Sequence, residues 1–196
     1  MNNTQINPRL LVLLLIIAIG AVIRLFNAAE ASAISAFTPI GAMGLFGGAY
    51  FSKRWKAYVF PLAALLLSDL AVNLIVLKGQ YGIMYQGWYG VYAVFALIVF
   101  LGQQLLKKVT ISNVLIAAVA ASFAHWLLTD LMSFFSPMGL DLRTNLPFAK
   151  NWDGLVQCYL QGLPFMRNFL AGTLMYSGLM FGAFELAKRR FPALAY

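Results

Sequence analysis

Apolar residues fall in six runs along the chain, separated by short polar segments. The first, about Leu10 to Phe26, is near-continuous Leu, Ile and Val; Asn7-Pro8-Arg9 precedes it and Arg24 sits near its far end. Asn27 to Ala36 is small and weakly polar, contains Glu30, and reads as a connection or a short re-entrant turn. The second run, about Pro39 to Ser52, is short for a bilayer that takes about 20 apolar residues to cross. It begins either there or nearer Ser32, with Pro39 as a kink. The third, about Tyr58 to Leu77, has Pro61 near its start and Asp69 and Asn73 inside. A loop rich in glycine and tyrosine, Lys78 to Gly87, leads to the fourth run, Trp88 to Leu106, closed by Lys107 and Lys108. The fifth, Ile111 to Phe135, is alanine-rich in its first half and polar in its second. Ser136 to Asn168 is the longest loop, and the sixth run, Phe169 to Ala187, ends in Lys188, Arg189 and Arg190.

Composition supplies the solvent for these runs. Hydrophobic residues make up 62% of the chain and charged residues 10%, against about 25% charged in an ordinary soluble domain. Mean hydropathy is +0.79. Such a chain cannot keep its surface wet, so lipid is the expected environment. The net charge of +8 does not point to nucleic acid, because the basic residues stand in short clusters between apolar runs. The single cysteine, Cys158, excludes an internal disulfide. The first run is too long for a signal-peptide core and lacks a small-residue cleavage site after its end, so it reads as a retained span.

Charge also orients the runs. With the N-terminus inside, the inner ends carry Arg9, then Lys53, Arg54 and Lys56, then Lys107 and Lys108, then Lys188, Arg189 and Arg190. That is nine of the 14 lysines and arginines; the outer loops keep Lys78, Arg143, Lys150 and Arg167. This is the positive-inside bias, and an odd span count would spoil the alternation. The expectation is one all-α membrane domain over residues 1–196, since the loops are too short to hold a soluble one.

Small residues indicate how the spans pack. Gly44 and Gly48 lie four apart on one helical face, which Ser52 extends, within a stretch that also holds Gly41 and Gly47. Gly178 with Gly182, Ala117 with Ala121, and Ala183 with Ala187 repeat the spacing. In a bilayer such positions let neighbouring helices approach closely.

Polar side chains within spans mark either a site or an internal pair. Arg24, Asp69, Asn73, His125, Thr129 and Asp130 are all expected in the outer halves of their helices. The functional reading is a pocket for a small polar molecule. Asp69, Asn73, His125, Thr129 and Asp130 supply hydrogen bonds, and Trp88, Tyr89, Tyr92 and Trp126 supply flat walls. The structural reading pairs Arg24 with Asp69 or Asp130 and lets the rest satisfy one another. A lone histidine makes no His-rich metal site, and no HExxH, Ser-His-Asp or Walker-type pattern occurs. Within the long loop, Trp152 to Leu160 reads as a short amphipathic helix that Pro164 breaks before the last span. Cys158 within it is read as a packed small residue, with ligation of a soft metal as the minority reading.

Three blocks carry a resemblance: FTPIGAMGLFGGAYF (Phe37 to Phe51), PLAALLLSDL (Pro61 to Leu70) and GLVQCYLQGLPFMRNFLAG (Gly154 to Gly172). They are similar to the shared blocks of a bacterial family of small integral membrane proteins of unknown function. That family resembles the substrate-binding S-components of energy-coupling-factor vitamin transporters. The resemblance implies a six-helix S-component-like bundle in the bacterial inner membrane, with both termini cytoplasmic. Such a protein captures a vitamin or metal ion from outside with its outer loops, and topples in the membrane to release it inward. A transmembrane coupling subunit with ATPases drives that step; no cofactor and no enzymatic activity are implied. The first span offers Ala18, Gly20 and Ala21 without the alanine-X-X-X-alanine spacing common in S-components that share a coupling subunit, so a solitary S-component stays open. A cobalamin-binding relative of that kind uses a cysteine, which keeps Cys158 in view. Two other classes remain: a scaffold protein of a cell-envelope assembly, since the same bundle occurs in cell-shape proteins, and a membrane enzyme using His125 and Asp130 for acid–base work.

Overall fold

The computed structural model describes residues 7–28, 36–80 and 82–194. Six helices follow the six apolar runs: α1 (Pro8–Ala28), α2 (Ile40–Tyr50), α3 (Arg54–Ala71), α4 (Trp88–Leu105), α5 (Ile111–Phe135) and α6 (Trp152–Arg190). A π-helical segment, Val72–Val76, prolongs α3, and a short hairpin (β1, Leu140–Asp141; β2, Leu146–Pro147) lies between α5 and α6. Five of the helices are long and apolar enough to cross a membrane, which makes this a multi-pass membrane protein. Most of the expected connection at Asn27 to Ala36, with Glu30, and the earlier start of the second run near Ser32 fall outside the described residues.

The exception in length organises the rest. α2 has 11 residues, about 17 Å at 1.5 Å per residue, roughly half a hydrocarbon core. It is buried on every side except at Ala49 and touches α1, α3, α4, α5 and α6. A helix apolar all round belongs in the interior. Its glycines let the α4 backbone in: a Cβ at Gly48 would sit 2.3 Å from the Val99 carbonyl oxygen, and one at Gly102 would sit 2.7 Å from the Leu45 carbonyl oxygen. Gly44 likewise leaves room for Ile98.

Packing brings the basic clusters to one end. Arg9 donates to the Tyr50 carbonyl (3.0 Å), joining the start of α1 to the end of α2. The Tyr50 hydroxyl donates to Glu185 (2.6 Å), and Lys188 pairs with Glu185 (3.0 Å), bringing in the end of α6. This is the basic end; the opposite one, bearing the hairpin, is the loop end.

Two expectations are corrected. Pro164 does not break a loop helix from the last span, because α6 runs unbroken through it for 39 residues. Proline removes one backbone donor and crowds the carbonyl four residues back; flanking turns packed on α5 hold the helix together across the defect. The expected loop Ser136 to Asn168 therefore ends at Asn151, whose side chain accepts from Gly154 N and caps α6. Second, Gly178 and Gly182 are not buried packing positions. A Cβ at either would meet open space, because that face of α6 borders a groove.

Candidate functional site

The polar residues expected in one pocket separate into three places. The first is a closed network joining α1, α3 and α4. Arg24 on α1 forms an ion pair with Asp69 on α3 and donates to Ser68 Oγ (2.7 Å). The Tyr92 hydroxyl on α4 donates to the other Asp69 carboxylate oxygen (2.8 Å). Asp69 is 1% exposed, so both oxygens are satisfied within protein, as a buried carboxylate requires. Asn73 is spent on backbone: its side-chain amide donates to the Asp69 carbonyl (3.0 Å) where α3 passes into the π-helical segment. Tyr85, on the connection before α4, lies near this network. Burial and then the Asp69 charge hold its phenol pKa well above the usual value. Trp88 packs edge-on against Tyr92, and Trp88 and Tyr89 are exposed.

The second place is an aromatic layer at mid-height. The His125 ring stacks on Phe169 (4.1 Å between centroids, 12° between planes) with Phe95 nearby at 5.6 Å. The Thr129 hydroxyl donates to the His125 carbonyl (2.8 Å), serving its own helix. Trp126 packs edge-on against Tyr159 of α6, whose hydroxyl donates to the Leu127 carbonyl (2.9 Å).

The third is a cleft of about 270 Å³ at the loop end. Asp130 and Ser133 of α5 form one wall, Cys158, Gln161, Gly162 and Phe165 of α6 another, and Leu140, Leu142 and Phe148 the roof. The Asp130 Oδ2 atom is buried with no hydrogen-bond partner. The Trp126 indole, one turn back, turns its N–H toward that carboxyl without closing a hydrogen bond. A Cβ at Gly162 would lie 1.8 Å from Asp130 Oδ2, so the missing side chain is what gives the carboxylate its room. The Cys158 thiol is buried and donates to the Asp130 carbonyl (3.2 Å). Among the described residues no three of His, Cys, Asp or Glu converge.

The roof is pinned. The Arg143 guanidinium donates to Asp141 (2.7 and 3.1 Å) and to Asp153 on the first turn of α6 (2.9 Å). Gln161 clips it further: its amide donates to Asp141 (2.9 Å) while its oxygen accepts from Leu142 N (3.0 Å). These partners, Arg143 foremost, hold the Asp141 carboxyl below the ordinary carboxylate range. Phe134, Phe148 and Cys158 form a small separate core beneath.

Of the residues expected to bind a ligand or metal, Asp130 and Cys158 thus line this cleft. Asp69, Asn73 and Tyr92 belong to the closed network, and His125, Trp126 and Thr129 to the layer between. Sequence reasoning placed Gln161 toward water or ligand, and it missed Ser133, Gly162 and the hairpin. The turn-forming run Gly139 to Pro147, with alternating Leu140, Asp141, Leu142 and Arg143, carried a hairpin signal.

No curated protein and no solved structure matches the chain. One family model does, across residues 4–194. By that match the chain belongs to the family of unknown function DUF6580.

Proposed function

We propose that the protein is a ligand-binding membrane subunit that takes up a small polar molecule at the Asp130 cleft from the loop side. The observation that carries this reading is the unpartnered Asp130 carboxylate oxygen in a cavity roofed by a clipped hairpin. A buried acceptor without a partner costs about 1–3 kcal/mol, a cost that a ligand donor removes. Apolar walls with a few convergent polar groups are the usual composition of a small-molecule site. On this reading the basic end is cytoplasmic, by the positive-inside rule, and the cleft opens outward in a bacterial inner membrane. A transmembrane coupling subunit with ATPases would drive release, as in the S-components that the sequence resembles. A metal ion would find only Asp130 and Cys158 as strong side-chain donors, so an organic molecule fits better.

The test is thermal unfolding of the purified protein against a panel of water-soluble vitamins and small amines. A ligand should raise the midpoint, and Asp130→Asn should abolish that rise while leaving the ligand-free midpoint within a few degrees. No shift across the panel overturns the reading. The closed Arg24–Asp69–Tyr92 network favours the second reading, a scaffold of an envelope assembly, because its polar groups are all spent on the bundle itself. Crosslinking in membranes that recovers envelope-synthesis proteins and no ATPase would select it.

A further inference from the structure

A larger cavity lies at the basic end, away from the Asp130 cleft. It is a groove of about 480 Å³ between the first turns of α5 and the last four turns of α6. One face of α6 lines it from Leu174 to Arg189, and Ile111, Val114 and Leu115 form the facing wall. Gly178 and Gly182 open its floor, since a Cβ at either meets nothing.

Its dimensions select an occupant. From Leu174 to Arg189 the helix rises about 22 Å. Spread over that length, the volume gives a cross-section of about 22 Å², about 5 Å across for the centre of a water-sized sphere and so about 8 Å from wall to wall. A methylene chain, whose carbons keep about 4–4.5 Å from their neighbours, lies in such a groove, whereas a helix, about 10–12 Å across, does not sink into it. The length also matches one leaflet with its headgroups, half of a bilayer about 40–45 Å thick.

Charge then selects the head. Glu185, at the groove mouth, is already engaged by Lys188 and Tyr50. Arg189 beside it acts on Glu185 through space and forms no direct salt bridge among the described residues, and Lys107, Lys108 and Arg190 are exposed at the same end. Basic pockets between membrane helices recognise anionic lipid headgroups. We propose that this groove is a site for an anionic phospholipid, one acyl chain lying along Gly178 and Gly182 and the phosphate held at Arg189.

Ser177 is where the test tells this occupant from a helix. Its hydroxyl lines the groove, is fully buried and has no partner. An acyl chain leaves it unpaired, so its removal costs lipid binding nothing, whereas a docked helix would supply a polar partner that the removal takes away.

The experiment uses the full-length protein, delipidated in neutral detergent. Thermal midpoints are compared after adding phosphatidylglycerol or phosphatidylcholine with identical chains. Phosphatidylglycerol should raise the midpoint by at least about 3 °C more than phosphatidylcholine. Arg189→Gln should remove that difference. Gly178→Leu and Gly182→Leu, which fill open space, should reduce the effect of both lipids, and Ser177→Ala should change neither. Equal shifts from the two lipids, or a phosphatidylglycerol shift that survives both Gly178→Leu and Arg189→Gln, overturns the proposal. So does a dimer in native mass spectrometry that Gly178→Leu or Ser177→Ala dissociates, which would assign the groove to a second copy.

Discussion

At the scale of single residues, the two aspartates inside the helices behave oppositely. Asp69 is enclosed by Arg24 and Tyr92, so Asp69→Ala leaves a guanidinium with little water and no counter-charge. That costs about 3–5 kcal/mol, whereas replacing both members by apolar residues of similar size is often close to neutral. Unfolding in detergent should therefore show a large loss for Asp69→Ala and substantial recovery in Arg24→Met/Asp69→Leu. Asp130 has an oxygen to spare, so Asp130→Asn should cost little stability and act on ligand alone. Gly162→Ala should mimic that loss, because the added methyl occupies the space of the carboxylate. The sequence showed that both carboxylates lie in apolar helices but not which would be paired. Pairing depends on the rotation of α1 and α4 against α3, and nothing in the spacing of Arg24, Asp69 and Tyr92 encodes it.

At the scale of elements, helix positions were legible because apolar run length and basic ends need no tertiary context. The α5 bounds agree with the apolar run, and α4 differs by one residue. A helix start at Trp152 was legible, but not that this helix runs on through Pro164 into the last span. Pro164 is a local stop signal, overridden by packing of the flanking turns on α5 and by the Asn151 cap. Since Pro164 is exposed and inside a helix, Pro164→Ala should raise the unfolding midpoint. The gain should be at most about 3 kcal/mol, the difference between the two residues in a helix interior. The hairpin gives a pH prediction. Its Asp141 carboxyl titrates below the unfolded value of about 3.9. The clip therefore contributes in full above pH about 4 and is lost as pH falls through the lower folded value. Protection of the Leu142 and Arg143 amides, taken as exchange relative to an unstructured chain at the same pH, should hold from neutrality to about pH 5 and fall in stronger acid. Asp141→Asn should lower it at neutral pH.

At the scale of the whole molecule, polar chemistry is divided between two ends. The loop end carries the cleft and its roof; the basic end carries the groove and its arginine. The stacked His125–Phe169 layer lies between them. This division could not be read from depth alone: residues at similar height on three helices were expected to meet, yet only those of α1 and α3 do, while α5 packs on α6 and turns Asp130 to the cleft between them. Gly48→Leu should collapse the fold and not merely loosen it, since the side chain would have to pass through the α4 backbone. Loss of a cooperative transition in detergent is the expected readout.

The enclosed position of α2 also bears on how the protein is made. A segment of 11 residues rich in glycine is a poor candidate to leave the insertion machinery for lipid on its own, being about half the length required. Its partners α3 to α6 are synthesised after it. Nascent chains should therefore hold this segment near the translocon until α4 emerges, and chains arrested before Trp88 should be cleared by membrane proteases while those that include Leu105 persist.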